Sequence, residues 1–166
     1  MTCYSRRMPK LWKTSSLIIS FALALCACSR DTIPNTDVED TRSNREVIDF
    51  VEVYRKAMEK RDVAKLLSMV SPIYFDDNGT PSAADDLDYN RLKKELESLR
   101  DKTLEVRYEI RYRQVSFRPP QIWVEYTYTG RFRIMTPDGE RWVRKLADNR
   151  LVLVRKGDSF QVLSGM

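Results

Sequence analysis

The chain has 166 residues, with 29 Lys+Arg against 24 Asp+Glu for a formal charge of +5, and no histidine. The missing His removes the commonest general base and many metal sites. The positive sum does not point to nucleic acid: four of the bases lie before residue 28, and the rest of the chain has 25 bases against 24 acids, about +1, too little for a phosphate footprint.

Residues 1–13 carry Arg6, Arg7, Lys10 and Lys13 and no acid, and residues from about 14 to 27 are almost wholly apolar or small. A basic start, a short apolar run and a small residue at its end describe a secretory signal. The run is shorter than the roughly 20 apolar residues a membrane span needs. It ends in Leu25-Cys26-Ala27-Cys28, which resembles the bacterial lipobox. The resemblance implies cleavage between Ala27 and Cys28, a diacylglycerol on the Cys28 thiol and acylation of its new amino group. Leu25 is too large to precede a modified Cys26. Three acyl chains make a stable anchor where one binds only marginally. Ser29, in place of Asp, implies the outer membrane, with the protein facing the periplasm of a bacterial envelope. Ser5-Arg6-Arg7 is similar to a twin-arginine export signal, but Pro9 and Lys10 stand where apolar residues belong. With Cys3 and Cys26 in the signal and Cys28 acylated, the mature domain has neither a free thiol nor a disulfide.

Residues 28–43 read as the lipidated Cys and a polar, flexible tether with a reach of roughly 20 Å. Residues 44–166 read as one domain. Ser43 and Glu46 form a capping box, and Val47, Phe50, Val51, Tyr54 and Met58 recur at helical spacing to about residue 60. A second helix is predicted from about Asp62 to Val70, stopped by Ser71-Pro72. An acidic loop over residues 76–88 follows, then a third helix to about Asp101 with Leu92, Leu96 and Leu99 on one side. As an EF-hand loop, with Gly79 at its sixth position, the acidic stretch lacks an acid at Tyr74 and a Glu at Asp85, so it reads as a solvated turn and no metal is expected.

From Thr103 the period becomes two. Leu104, Val106, Tyr108, Ile110 and Tyr112 alternate with charges, and the phase slips after Arg113, which predicts a bulge. Pro119-Pro120 ends this strand. A second long strand carries Val124, Tyr126, Tyr128, Phe132 and Ile134, with Gly130 at an easy bend. Pro137-Asp138-Gly139 turns into a third strand, about residues 140–155, and a short fourth strand spans Phe160 to Leu163. Three helices followed by an antiparallel meander make an α+β domain with the helices in the concave face of the sheet.

With Arg61-Asp62, Ser71-Pro72-Ile73-Tyr74 and the closing Asp148-Asn149-Arg150-Leu151-Val152-Leu153-Val154 and Phe160-Gln161-Val162-Leu163, the domain resembles the NTF2-like (SnoaL-like, cystatin-related) cone. The resemblance implies a pocket between sheet and helices. Tyr108, Tyr112, Tyr126, Tyr128 and Phe132 would line it, as plain core or as a site for an apolar molecule. Enzymes of this fold use a carboxylate or His base. Asp62, Asp76, Asp148, Tyr54, Tyr126 and Tyr128 are the candidates, and no spacing selects among them. Trp123 shares a strand face with Glu125 and Arg131, the composition of an interface hot spot. The reading is a lipid-anchored envelope protein without a cofactor, whose domain is a non-catalytic interaction or scaffolding module that binds a protein partner or itself. A carrier for an apolar ligand is the alternative and an enzyme the third. A pocket too small for a ligand favours the first, and an open, dry cavity the second.

Overall fold

The computed structural model describes residues 31–166. The signal, Cys28 and the start of the tether lie outside the described residues.

The remainder of the expected tether is folded. Asn35, at a left-handed φ of 63°, turns the chain, Thr32 and Glu39 bridge across the turn, and Ile33 and Val38 are buried in the core. The Asp37 amide donates to the Tyr112 carbonyl at 3.0 Å. Two apolar residues and a turn suffice to tie down a polar segment.

Helix α1 (Arg42–Lys60) buries Val47, Ile48, Val51, Tyr54 and Ala57 along one stripe. Its cap is not the expected capping box. The Thr41 hydroxyl accepts from the Asn44 amide at 3.1 Å, and Glu46 instead pairs with Arg42 and Arg155. Arg61, at a left-handed φ of 53°, ends the helix. Asp62 then caps α2 (Val63–Ser68). Strands β1 (Phe75–Asp76) and β2 (Leu87–Asp88) are a small antiparallel pair framing the acidic loop. Helix α3 (Tyr89–Lys102) starts on the Asp88 carboxylate and buries Leu92 and Leu96.

The main sheet has the order β3-β4-β5-β6, formed by β3 (Thr103–Arg118), β4 (Gln121–Thr136), β5 (Gly139–Lys156) and β6 (Ser159–Ser164). All pairs are antiparallel. The expected phase slip is a register shift between Tyr112 and Gln114. It keeps Tyr108, Tyr112, Val115 and Phe117 on one face although Arg113 intervenes. The inner face, with Val124, Tyr126, Leu151 and Leu153 wholly buried, meets the helices.

Parts of the outer edges of the sheet are covered by side chains and loops. The Arg55 guanidinium donates to the Tyr108 carbonyl and the Tyr108 amide to Glu59, both at 3.2 Å. At β6 the Ser71 amide donates to the Val162 carbonyl and the Val162 amide to the Met69 carbonyl, each at 2.9 Å. Edge groups satisfied in this way are withdrawn from pairing with another chain.

Candidate functional site

Sheet and helices do not close completely on each other. Between them lies a cavity of ≈ 660 Å³, within the range of small-molecule pockets. Tyr54 and Met58 of α1 and Leu92, Leu96 and Leu99 of α3 form one wall. Tyr108, Tyr128, Phe132 and Ala147 form the opposite wall, and the C-terminal residues Ser164, Gly165 and Met166 form part of the rim. The spacing that makes α1 and α3 amphipathic thus supplies the apolar lining.

Of the five aromatic residues expected to line a pocket, Tyr108, Tyr128 and Phe132 do so. Tyr112 and Tyr126 do not. Tyr112 donates its hydroxyl to Glu52 at 2.7 Å, beyond the cavity wall. Tyr126 is wholly buried, and its hydroxyl accepts from the Asn149 amide at 3.0 Å. Side-chain alternation places all five on one face, but depth is set by helix placement, which alternation does not encode.

The rings are packed on one another. Tyr108 stacks on Tyr128 with centroids 5.1 Å apart, and Tyr54 meets Tyr108 edge-on at 6.2 Å. Burial pushes the phenols of Tyr54, Tyr108 and Tyr126 well above their ordinary value. They remain neutral, able to orient a polar group of a ligand and unsuited to act as bases.

The candidate carboxylates are dispersed. The Asp62 side chain accepts from the Lys65 amide as a helix cap. Asp148 turns to the outer face of the sheet, where it accepts from the Thr127 hydroxyl at 2.6 Å and from Arg113 at 3.0 Å. The Thr127 hydrogen bond first, then Arg113, holds its carboxyl below the usual range. Asp76 and Asp148 both border the cavity, but the Asp148 carboxylate is held by its outer-face partners and the acceptor sites of Asp76 are engaged as well. The Gly165 amide reaches it at 2.6 Å, the Asn78 amide at 3.0 Å and the Tyr74 hydroxyl at 3.3 Å. The three carboxylates and the phenols therefore do not converge on one point.

The acidic loop binds itself. Asn78 and Gly79 amides donate to Asp76 and Asp77, and the Thr80 hydroxyl to Asp85 at 2.9 Å. Among the described residues no group of acids is placed to hold a metal ion, and no helix is long and apolar enough to cross a membrane.

Trp123 differs from the expected exposed hot spot. It is half-buried, with the Arg118 and Arg150 guanidinium groups over its ring at 3.9 and 4.4 Å. Its indole N–H donates to Gln121 at 3.1 Å. Arg131 shares its face but stands eight residues along β4, roughly 26 Å away at strand rise. The two residues belong to different surfaces.

Compared with family models and with curated proteins, the chain finds no match. Solved structures match its fold. A candidate dehydratase of the NTF2-like family from Streptomyces avermitilis aligns at a TM-score of 0.58 and 17% identity, over 74% of this chain and 92% of its own. The Kfla4162 protein from Kribbella flavida aligns at 0.61 and 14%, over 76% and 90%. A candidate aromatic-ring hydroxylase from Novosphingobium aromaticivorans aligns at 0.61 and 11%, over 77% and 96%. The domain is thus an α+β cone of the NTF2-like fold. Within that fold it is a His-less cone whose cavity has aromatic and aliphatic walls and a charged and polar rim that includes Asp76, Glu95 and Lys145, and the fold by itself assigns no activity.

Proposed function

We propose that the domain is a carrier that holds an amphipathic, mainly apolar small molecule in its cone and does not transform it. The supporting observation is the ≈ 660 Å³ cavity walled by Met58, Leu92, Leu96, Leu99 and Phe132. Neutral phenols and Asn149 beside it offer hydrogen bonds, and the carboxylates of Asp62, Asp76 and Asp148 already accept from protein donors. An open cavity of ligand size is the outcome that favours carriage over scaffolding. Native mass spectrometry of residues 29–166, exported to the periplasm and purified gently, tests this. An adduct of small-molecule mass, lost on denaturation and absent in Ala147→Trp, is expected. A bare mass, or an adduct that Ala147→Trp retains, overturns the carrier.

The signal and lipobox support placing this carrier in a bacterial envelope, anchored through Cys28 and most simply on the periplasmic side of the outer membrane. Cys28→Ser is expected to move the protein from salt-washed membranes, which an acyl anchor survives and electrostatic docking does not, to the soluble fraction. Unchanged membrane retention without acyl mass on Cys28 would overturn that anchor.

Scaffolding through the sheet, with a protein partner or a second copy, is the second reading. It is favoured by large apolar side chains that stand exposed on the outer face, Trp142 and Leu146 among them.

A further inference from the structure

Toward the β4–β5 hairpin end of the outer face, like charges of the sheet stand in one row. The register sets Arg107, Arg131 and Arg144 side by side on three adjacent strands, an arrangement that is destabilising unless something anionic lies against it. Elsewhere on this face Arg133 is matched by Glu105 and Glu140, Arg113 by Asp148 and Arg150 by Glu125, while Arg118 lies over the Trp123 ring at the far end. In the row, Arg107 has Glu105 at 3.1 Å. Arg131 and Arg144 have no carboxylate within ion-pair distance among the described residues.

Large apolar side chains surround the row. Met135, Trp142 and Leu146 are 60%, 46% and 62% exposed. Alternation puts them on the same face as the arginines, with Trp142 and Leu146 on either side of Arg144 along β5 and Met135 four residues beyond Arg131 along β4. The Arg107 guanidinium lies over the Trp142 ring, 5.0 Å from its centroid. Unpaired guanidinium groups and exposed apolar side chains thus occupy one surface.

We propose that this surface docks on a bilayer containing anionic lipid. Arginine forks suit lipid phosphates. A Trp belongs at the headgroup level, and Leu146 and Met135 can enter the acyl boundary. A second copy fits less well, because a two-fold contact here would lay one arginine row against another. A soluble phosphate compound would leave the apolar side chains uncovered. The inference is independent of the cavity and of Cys28.

The experiment uses residues 29–166, which lack the anchor and contain the whole compact unit of residues 31–166, sedimented with phosphatidylcholine vesicles with and without phosphatidylglycerol. Binding is expected only with phosphatidylglycerol, and is expected to weaken with added salt. Each arginine near such a surface is worth about 1 kcal/mol, or about fivefold, so Arg131→Glu with Arg144→Glu lowers the partition by more than tenfold. Leu146→Asp lowers it as well. Arg118→Glu, an arginine at the opposite end of the sheet, leaves it near wild type, and unchanged circular dichroism shows each variant folded. Absence of binding to the anionic vesicles, or an equal loss in Arg118→Glu, overturns the proposal. So does a dimer that Arg131→Glu with Arg144→Glu dissolves, which would assign the face to a second copy.

Discussion

Raising the pH is expected to unfold the domain cooperatively within about two units above pH 10. Burial is the first cause that holds the phenols of Tyr54, Tyr74, Tyr108, Tyr112 and Tyr126 above their ordinary 10.0. In the unfolded chain each ionises near 10. Above that pH the folded state holds more protons than the unfolded state, so stability falls as pH rises. Below it the contribution is fully present, and neutral buffers show no effect. Each phenol costs about 1.4 kcal/mol per pH unit, and five together about 7 kcal/mol per unit. A domain stable by roughly 5–15 kcal/mol exhausts this within one to two units. Phenolate absorbance and far-ultraviolet circular dichroism, titrated together, are expected to change in one sharp step. Tyr54→Phe removes one proton from the linkage and makes the step less steep. A smooth rise of phenolate absorbance from these residues with the dichroism intact would mean that the rings are not buried as described.

The same phenols mark how far the sequence can be read. Alternation around Tyr108, Tyr126 and Tyr128 makes the inner face legible, and the phase slip at Arg113 locates the bulge to the residue. Turn chemistry at Asp138-Gly139 and Lys156-Gly157 places the strand ends, because few other residues accept those backbones. Depth is not written in this way. Tyr112 and Tyr128 occupy equivalent inner positions, yet one meets Glu52 and the other the cavity, according to where α1 and α3 come to rest. Residues 31–40 were opaque because a turn held by Ile33 and Val38 is as polar as a linker. Charge pairing on the outer face needs the register, since Arg107, Arg131 and Arg144 are neighbours only across strands.

The C-terminal rim of the cavity is likewise not legible in the sequence, since Ser164-Gly165-Met166 has neither period nor charge. Gly165 stands at a left-handed φ of 91°. A Cβ there would lie 1.8 Å from the Arg150 carbonyl oxygen and 2.8 Å from its carbon. Those atoms are strand backbone and cannot yield, so the tail must leave its seat in Gly165→Ala. Three hydrogen bonds go with it. The Gly165 amide donates to Asp76 at 2.6 Å, the Asn149 amide to the Gly165 carbonyl at 2.9 Å, and the Met166 amide to the Tyr74 hydroxyl at 3.2 Å. Hydrogen bonds of this kind are worth about 1 kcal/mol each, and more where one partner is charged, so a loss of ~2–4 kcal/mol in chemical denaturation is expected. Deleting residues 165–166 removes the same bonds without the clash and is expected to cost nearly as much. In both variants the rim of the cavity opens beside Asn149, and a carried molecule is expected to be lost during purification. Equal stability of Gly165→Ala and the parent would mean that the tail is not seated at Arg150. A destabilised variant that still carries its molecule would place the binding determinants deeper, among Leu96, Tyr108 and Tyr128.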